Sequence, residues 1–261
     1  MAKKVTAPSL REKKTAGERI VCLTAYDYMS AQMADLAGVD LVLVGDSLGN
    51  VIMGERTTLG VSLEMVEHHV RAVRNGLTNA LLVADLPFGS YGASTSQAIE
   101  SSFRLMKAGA EAVKLEGDYP DAVEALMRAG VPVMGHVGFT PQSVNKFGGY
   151  RVQGRGDNAT SVKEMAKRLD DAGVFGIVLE LMPAELSGEV TSLVSCPTIG
   201  IGAGSECDGE IQVWHDVLGL DDKKRKHTRF FAEGRNIFVK ALTEYTVAVR
   251  NGTFPSEENG F

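Results

Sequence analysis

Six apolar stretches of this 261-residue chain end on a charged or titratable side chain. They deliver Tyr26-Asp27, Asp46-Ser47, Asp85, the pair Lys114 and Glu116, His136, and Glu180. Several carboxylates brought into one pocket repel each other, and an unpaired buried charge is costly. A divalent cation resolves both problems, and hard oxygen ligands select Mg²⁺ or a similar ion that keeps exchangeable waters. Asp46, Asp85 and Glu116 form the predicted ligand set, directly or through water. Lys114 and Glu180 are then left for chemistry. Taken singly, each residue has a plainer reading. Asp46 or Asp85 could cap a helix, Lys114 and Glu116 could be a rim ion pair, and His136 could be a hydrogen-bonded core residue.

Whether these residues meet depends on the elements that carry them. An amphipathic stretch, Ala-Gly and an apolar run recur in "MADLAGVDLVLVGD", "LMKAGAEAVKLEGD", "LMRAGVPVMGHVG" and "LDDAGVFGIVLELM". Gly38, Gly109, Gly130 and Gly173 occupy the place where a left-handed residue closes a helix. Leu63, Val66, Val70 and Val73 keep helical spacing, and so do Ile99, Phe103 and Met106. Eight apolar runs alternate with such helices: "IVCLTAYD", "LVLVGD", "LLVADLP", "AVKLEGD", "PVMGHVG", "GIVLELM", "PTIGIGA" and, more weakly, "IQVWHDVLG". They are nearly continuous, as in a parallel sheet covered by helices. The pattern predicts a single-domain (β/α)8 TIM barrel over residues 1–261, with extra C-terminal helices after about Leu220. An open doubly wound sheet is the alternative. In a barrel the active site lies at the C-terminal ends of the strands, where the acids fall.

Composition bounds the function. The chain is 44% hydrophobic and 23% charged with a net charge of −6, which argues against a nucleic-acid binder. No apolar run is long enough to span a bilayer, and "MAKKVTAPSL" lacks the apolar core of a secretory signal. Three cysteines, Cys22, Cys196 and Cys207, are too few and scattered for a disulfide framework or a zinc site, so a reducing cytoplasm fits.

Across nearly the whole chain, "TAYDY" (24–28), "LVGDSLG" (43–49), "LLVADLPF" (81–88), "AGAEAVKLEG" (108–117), "GHVGFTPQSVNKFGGYRVQGRG" (135–156), "LELMP", "IGIGAG" (199–204) and "FPSEE" (254–258) resemble the ketopantoate hydroxymethyltransferase family. The resemblance implies a Mg²⁺-dependent (β/α)8 barrel in a homodecamer. It implies transfer of a hydroxymethyl group from 5,10-methylenetetrahydrofolate to 3-methyl-2-oxobutanoate through a Mg-stabilised enolate, giving 2-dehydropantoate for pantothenate and coenzyme A synthesis. By position, Asp46, Asp85 and Glu116 match the magnesium residues, and Asp46, Ser47, Asp85 and Lys114 match the keto-acid contacts. Glu180 matches the proton acceptor and His136 an active-site histidine. The implied partners are the keto acid, the folate and further copies of the chain, with no nucleic acid and no membrane. Two stretches depart from the family pattern: "ERTTLGV" (Glu55 to Val61), which lacks a usual proline, and "KHTRFF" (Lys226 to Phe231).

Three other features have two readings each. "KFGGYRVQGRG" reads as a mobile flap over the site or as a structural Ω-loop. "GIGAG" lacks the G-x-G-x-x-G spacing, so close backbone passage explains it better than a nucleotide site. His68-His69 with Glu64 is a metal candidate or, more simply, a surface face. Two rival functions fit parts of this pattern. A lyase of the isocitrate lyase and phosphoenolpyruvate mutase group shares the metal site but needs a loop cysteine, absent between Cys22 and Cys196. A non-enzymatic barrel would not need the charged tips.

Overall fold

The computed structural model describes residues 3–261. Eight parallel strands close in sequential order into a barrel. They are β1 (Ile20–Thr24), β2 (Leu41–Val44), β3 (Leu81–Asp85), β4 (Ala112–Lys114), β5 (Val133–Gly138), β6 (Gly176–Glu180), β7 (Thr198–Ile201) and β8 (Gly209–Gln212). β8 closes the ring on β1, with Ile20 beside Gly209 and Cys22 beside Ile211. The open-sheet alternative is thereby excluded. The eighth strand lies earlier than the apolar run "IQVWHDVLG" suggests. Pairing to β7 ends at Glu210 and pairing to β1 at Gln212, and Trp214 already begins a helix.

The helices are α1 (Ala7–Ala16), α2 (Tyr28–Leu36), α3 (Leu48–Val51), α4 (Leu63–Gly76), α5 (Thr95–Ala108), α6 (Pro120–Arg128), α7 (Val144–Phe147), α8 (Asn158–Asp171), α9 (Ala184–Leu193), α10 (Trp214–Val217) and α11 (Gly234–Arg250). The repeated Ala-Gly does what its position requires. Gly38, Gly109, Gly130 and Gly173 all take positive φ, between 79° and 117°, where a side chain would be strained. α4 buries Val66, Val70 and Val73, the face its spacing predicts. α5 buries only part of the stripe expected of it: Ile99 and Met106 pack, partly buried, against the core. Its inner face is Ala98, Ser101, Ser102, Leu105 and Ala108, while Phe103 is exposed. Small residues let this helix approach closely, and Ser101 Oγ donates to the Ser90 carbonyl at 2.7 Å.

Strand residues alternate between two apolar clusters. The outward-facing set, including Val42, Val44, Leu82, Ala84 and Val113, packs under the helices. The inward-facing set fills the barrel: Ile20, Cys22, Leu41, Leu43, Leu81, Val83, Ala112, Met134, Val178, Ile199 and Ile211. Ala7 and Leu10 of α1 join this inner cluster, so one end of the barrel is filled by an extra helix. That packing leaves the opposite mouth for polar groups.

The barrel unit runs to Val213 and a second compact unit spans Trp214–Phe261. Within the second unit, Arg225 pairs with Asp216 at 2.7 Å, the Arg229 guanidinium stands 4.9 Å from the centre of the Phe231 ring, and Phe254 lies against Tyr245. The departing stretch Lys226–Phe231 belongs here. α11 carries large exposed apolar side chains, among them Ile237, Phe238, Leu242 and Tyr245. No helix among the described residues is long and apolar enough to cross a membrane.

Candidate active site

The polar layer at the mouth follows from the two-residue period of the strands. On four strands the inward-facing apolar residue is followed, two positions later, by a polar one: Val83 by Asp85, Ala112 by Lys114, Met134 by His136, Val178 by Glu180. Asp85 and Lys114 are direct neighbours across β3 and β4. Lys114 Nζ lies 2.6 Å from Asp85 Oδ1 and 3.8 Å from Glu116 Oε1. His136 sits between two acids, with Nδ1 3.4 Å from Glu116 Oε1 and Nε2 3.3 Å from Glu180 Oε2.

Asp46 arrives from the loop after β2, and its backbone N–H donates to Asp85 Oδ2 at 2.9 Å. This approach needs Gly45. A Cβ there would stand 2.7 Å from Ser47 Oγ and 3.4 Å from Asp85 Oδ2. Ser47 Oγ in turn hydrogen-bonds the buried Tyr26 hydroxyl at 2.8 Å. All seven predicted residues, Asp46, Ser47, Asp85, Lys114, Glu116, His136 and Glu180, therefore meet in one mouth through this network.

Helix capping does not account for these acids. Ser47 and Ser94 hold the cap positions of α3 and α5. Asp27 is different. Its Oδ1 accepts from the Ser30 N–H at 2.7 Å as the cap of α2, so the acid of the first strand has a structural task. His68, His69 and Glu64 stand outside the cluster: Glu64 pairs with Arg104 at 2.8 Å, and His69 Nδ1 bonds the Tyr26 carbonyl.

Electrostatics sharpen the picture. Burial, then the charges of Asp85 and Glu116, push Asp46 well above the usual carboxylate range. Asp85 is raised by burial, against the pull of Lys114. Burial disfavours the Lys114 ammonium, but Asp85, Glu116 and Asp46 outweigh it and raise its pKa. Burial and Lys114 work to lower His136, yet Glu116 and Glu180 lift it to about 9. Glu116 is lowered because His136 and Lys114, with a backbone hydrogen bond from Gln142, overcome its burial.

Four carboxyl groups thus share the mouth with Lys114 and His136. Asp46, Asp85 and Glu116 offer hard oxygen donors, and the crowding and burial that raise Asp46 and Asp85 are what a divalent cation of the Mg²⁺ type relieves. Among the described residues, no three His, Cys, Asp or Glu side chains are already closed around a metal-sized space. Lys114 and Gln142 stand between the carboxylates.

Two residues of this network have no signal in the sequence. Gln142, buried just after β5, donates from Nε2 to Asp46 Oδ2 at 2.8 Å and from its backbone to Glu116 Oε2 at 2.9 Å. Tyr91, in the loop after β3, donates to Gln142 Oε1 at 2.7 Å. Gln142 lies inside "GHVGFTPQS", but nothing in its neighbours separates a buried glutamine from an exposed one.

The glycine-rich loop after α7 is tied to the Glu180 strand. Gln153 N–H donates to the Leu181 carbonyl at 3.0 Å, and the half-exposed Tyr150 ring rests on buried Phe139, centres 5.0 Å apart. Leu181, directly after Glu180, is the one non-glycine residue with positive φ (46°) among those described. Its N–H donates to Ile201 O at 3.0 Å, so bonds on both sides hold that conformation. In "GIGAG" a Cβ at Gly204 would collide with Ala184, which accounts for the glycine by close passage. The departing stretch Glu55–Val61 folds back on α3, with Glu55 N–H on Gly49 O at 2.8 Å. Burial raises all three cysteine thiols, Cys207 to about 11.

The family model for ketopantoate hydroxymethyltransferase matches residues 4–257. The chain belongs to the ketopantoate hydroxymethyltransferase family. It is 49% identical to the 3-methyl-2-oxobutanoate hydroxymethyltransferase of Ralstonia pickettii, over 99% of this chain and 96% of the relative. It is 47% identical to that of Caldicellulosiruptor bescii, over 99% of both. Similar solved structures include phosphonopyruvate hydrolase in complex with oxalate and Mg²⁺, with 14% identity, TM-score 0.61, and 97% and 93% of the two chains covered. Another is 2,3-dimethylmalate lyase, a PEP mutase/isocitrate lyase superfamily member, with 17% identity, TM-score 0.61, and 99% and 93% covered. At those identities the likeness is one of fold. The isocitrate lyase and phosphoenolpyruvate mutase group shares the barrel, while the full-length relatives at 47–49% identity decide the family.

Proposed function

We propose that the protein transfers a hydroxymethyl group from 5,10-methylenetetrahydrofolate to C3 of 3-methyl-2-oxobutanoate, giving 2-dehydropantoate for pantothenate and coenzyme A synthesis. One observation carries this reading. Three buried carboxylates suited to a divalent cation share a mouth with a fourth, Glu180, that is distinctly more open: its side chain is 18% exposed against 2–3% for Asp85 and Glu116. The names of the relatives support the substrate.

Asp46, Asp85 and Glu116 would hold Mg²⁺, directly or through water, and the ion would supply Lewis-acid polarisation of the keto acid's oxygens, worth several kcal/mol. Lys114, kept charged by the acids around it, faces the oxygen on which negative charge develops. Ser47, seated on the Tyr26 hydroxyl, binds the keto-acid carboxylate, and Asp46 and Asp85 complete the contacts.

Glu180 is the proton acceptor, and its exposure leaves room for C3 beside it. His136, lifted to about 9 by Glu116 and Glu180, keeps both ring N–H groups at neutral pH, and its Nε2 side orients Glu180. Water opens the methylene bridge by replacing one of its two folate nitrogens, and the resulting enolate carbon attacks that hydroxyl-bearing carbon as its second C–N bond breaks. The two nitrogens take one proton from water and the one removed from C3, releasing tetrahydrofolate and leaving the hydroxyl. The tethered loop from Gly148 to Gly156 stands beside Glu180 and is positioned to meet the folate.

The test isolates the first step. With Mg²⁺ and the keto acid in D₂O and no folate, the C3 proton is expected to exchange, read by proton NMR. A folded, metal-loaded protein that leaves C3 protonated would overturn the enolate route.

Assembly and compartment belong to the same reading. A 17-residue helix with large apolar side chains in water needs a partner surface, which supports the homodecamer the family resemblance implies. Sedimentation is expected to give an oligomer of this chain; a monomer at micromolar concentration would sink it. Buried free cysteines and the acidic charge suit the cytoplasm.

A further inference from the structure

We infer that Gln142, braced by Tyr91, is the positioning residue that sets the spacing of Asp46 and Glu116 in the cation site. The inference rests on the metal reading above and adds residues to which that reading gives no role.

Every hydrogen-bonding group of the Gln142 side chain is used, and each bond has a direction. Nε2 donates to Asp46 Oδ2 at 2.8 Å and to the Leu86 carbonyl at 3.0 Å. The Leu86 carbonyl can only accept, so the amide nitrogen must face this side. Oε1 accepts from the Tyr91 hydroxyl at 2.7 Å, and that hydroxyl itself accepts from Glu116 N–H at 3.2 Å. The Gln142 backbone N–H donates to Glu116 Oε2 at 2.9 Å. One residue thus bridges two acids that arrive on different loops, after β2 and after β4. Both Gln142 and Tyr91 are buried, so water cannot readily substitute for a lost bond.

The consequence is mechanical. With the amide in place, one Asp46 oxygen and one Glu116 oxygen are pinned and their carboxylate planes are set. Outer-shell partners of this kind orient ligands. Without the amide, Asp46 is free to rotate between its repelling neighbours. Tyr91 braces both sides of the bridge: its hydroxyl lies 2.7 Å from Gln142 Oε1 and also meets the Glu116 backbone, its N–H at 3.2 Å and its carbonyl at 3.1 Å, while the Leu86 carbonyl fixes which end of the amide faces Asp46.

The experiment uses the full chain and Mn²⁺ alone as probe, titrated by electron paramagnetic resonance without keto acid or folate. Metal-free melting temperatures are recorded in parallel. Gln142→Met keeps the length and removes the amide; it is expected to weaken Mn²⁺ binding about tenfold, the lower end of what losing an outer-shell partner does. Tyr91→Phe is expected to weaken it in the same direction by less. The double variant should bind worse than Gln142→Met by less than the full Tyr91→Phe factor, because the amide that the hydroxyl holds is gone and only its contacts with the Glu116 backbone remain to lose.

Gln142→Met binding Mn²⁺ within about twofold of the parent overturns the inference, as does a double variant weaker by the full Tyr91→Phe factor. Should Gln142→Met not fold, unchanged affinity in Tyr91→Phe overturns it instead. A parent that binds no Mn²⁺ removes the metal reading and this inference together. A parent that binds while the variants match it removes this inference alone.

Discussion

Glu180→Gln is expected to cut C3 proton exchange by about 10² to 10⁴ while leaving Mn²⁺ affinity close to that of the parent, the range in rate reflecting what a positioned base contributes. The amide keeps the shape and removes the basic oxygen. Glu180 sits at the end of β6, linked to the other acids through His136 and not through the Asp46–Asp85 contact, so the cation pocket should survive. Exchange and metal titration on the same preparation check both halves. The His136 pKa near 9 depends in part on Glu180, so the variant should also lower the pH at which His136 loses its proton, observable in the imidazole NMR titration. A variant that exchanges C3 at the parental rate would end the assignment of Glu180. One that loses metal together with exchange would place it among the ligands.

Asp85→Ala is expected to do the reverse. Mn²⁺ affinity should fall by more than the roughly 10- to 100-fold that an outer-shell change brings, because a ligand itself is gone. Stability should fall too. Lys114 would be left buried without its 2.6 Å partner, and breaking a buried pair from one side typically costs about 3–5 kcal/mol. Glu116 at 3.8 Å from the same ammonium tempers that cost, so the loss should lie at the lower end. Chemical denaturation measures it. Adding Lys114→Met to Asp85→Ala should restore much of the stability without restoring metal binding, since the stranded charge is gone and the ligand is not. Undiminished Mn²⁺ binding in Asp85→Ala would show that the cation site lies elsewhere.

Much of this site was written in the chain because barrel architecture converts local pattern into position. A strand covered on both sides reads as continuous apolar sequence, and its closing residue falls at the mouth whichever strand carries it. The two-residue period then puts Asp85, Lys114, His136 and Glu180 on the inner face, directly above Val83, Ala112, Met134 and Val178. No long-range information is required for that step. Glycine after the helices is equally local, since left-handed backbone excludes side chains by sterics alone.

The tertiary structure decided what local pattern leaves equal. Asp27 and Asp46 both follow an apolar strand and precede a hydroxyl and a helix. One caps α2 through the Ser30 N–H, and the other has its N–H on Asp85 and a carboxylate oxygen on Gln142. The bounds of β8 are set by its pairing with β1 and β7, not by hydrophobicity, which runs on past Trp214. α5 buries serines where Phe103 had the stronger claim by type, because close helix contact rewards small side chains. Gln142 and Tyr91 reach the site along loops, whose paths depend on contacts with distant elements. Composition and spacing on their own therefore specified the barrel and the charged inner face at its mouth; which neighbours hold those charges apart was settled only by packing, since hydrogen bonds between residues 51 or 96 positions apart leave no local trace.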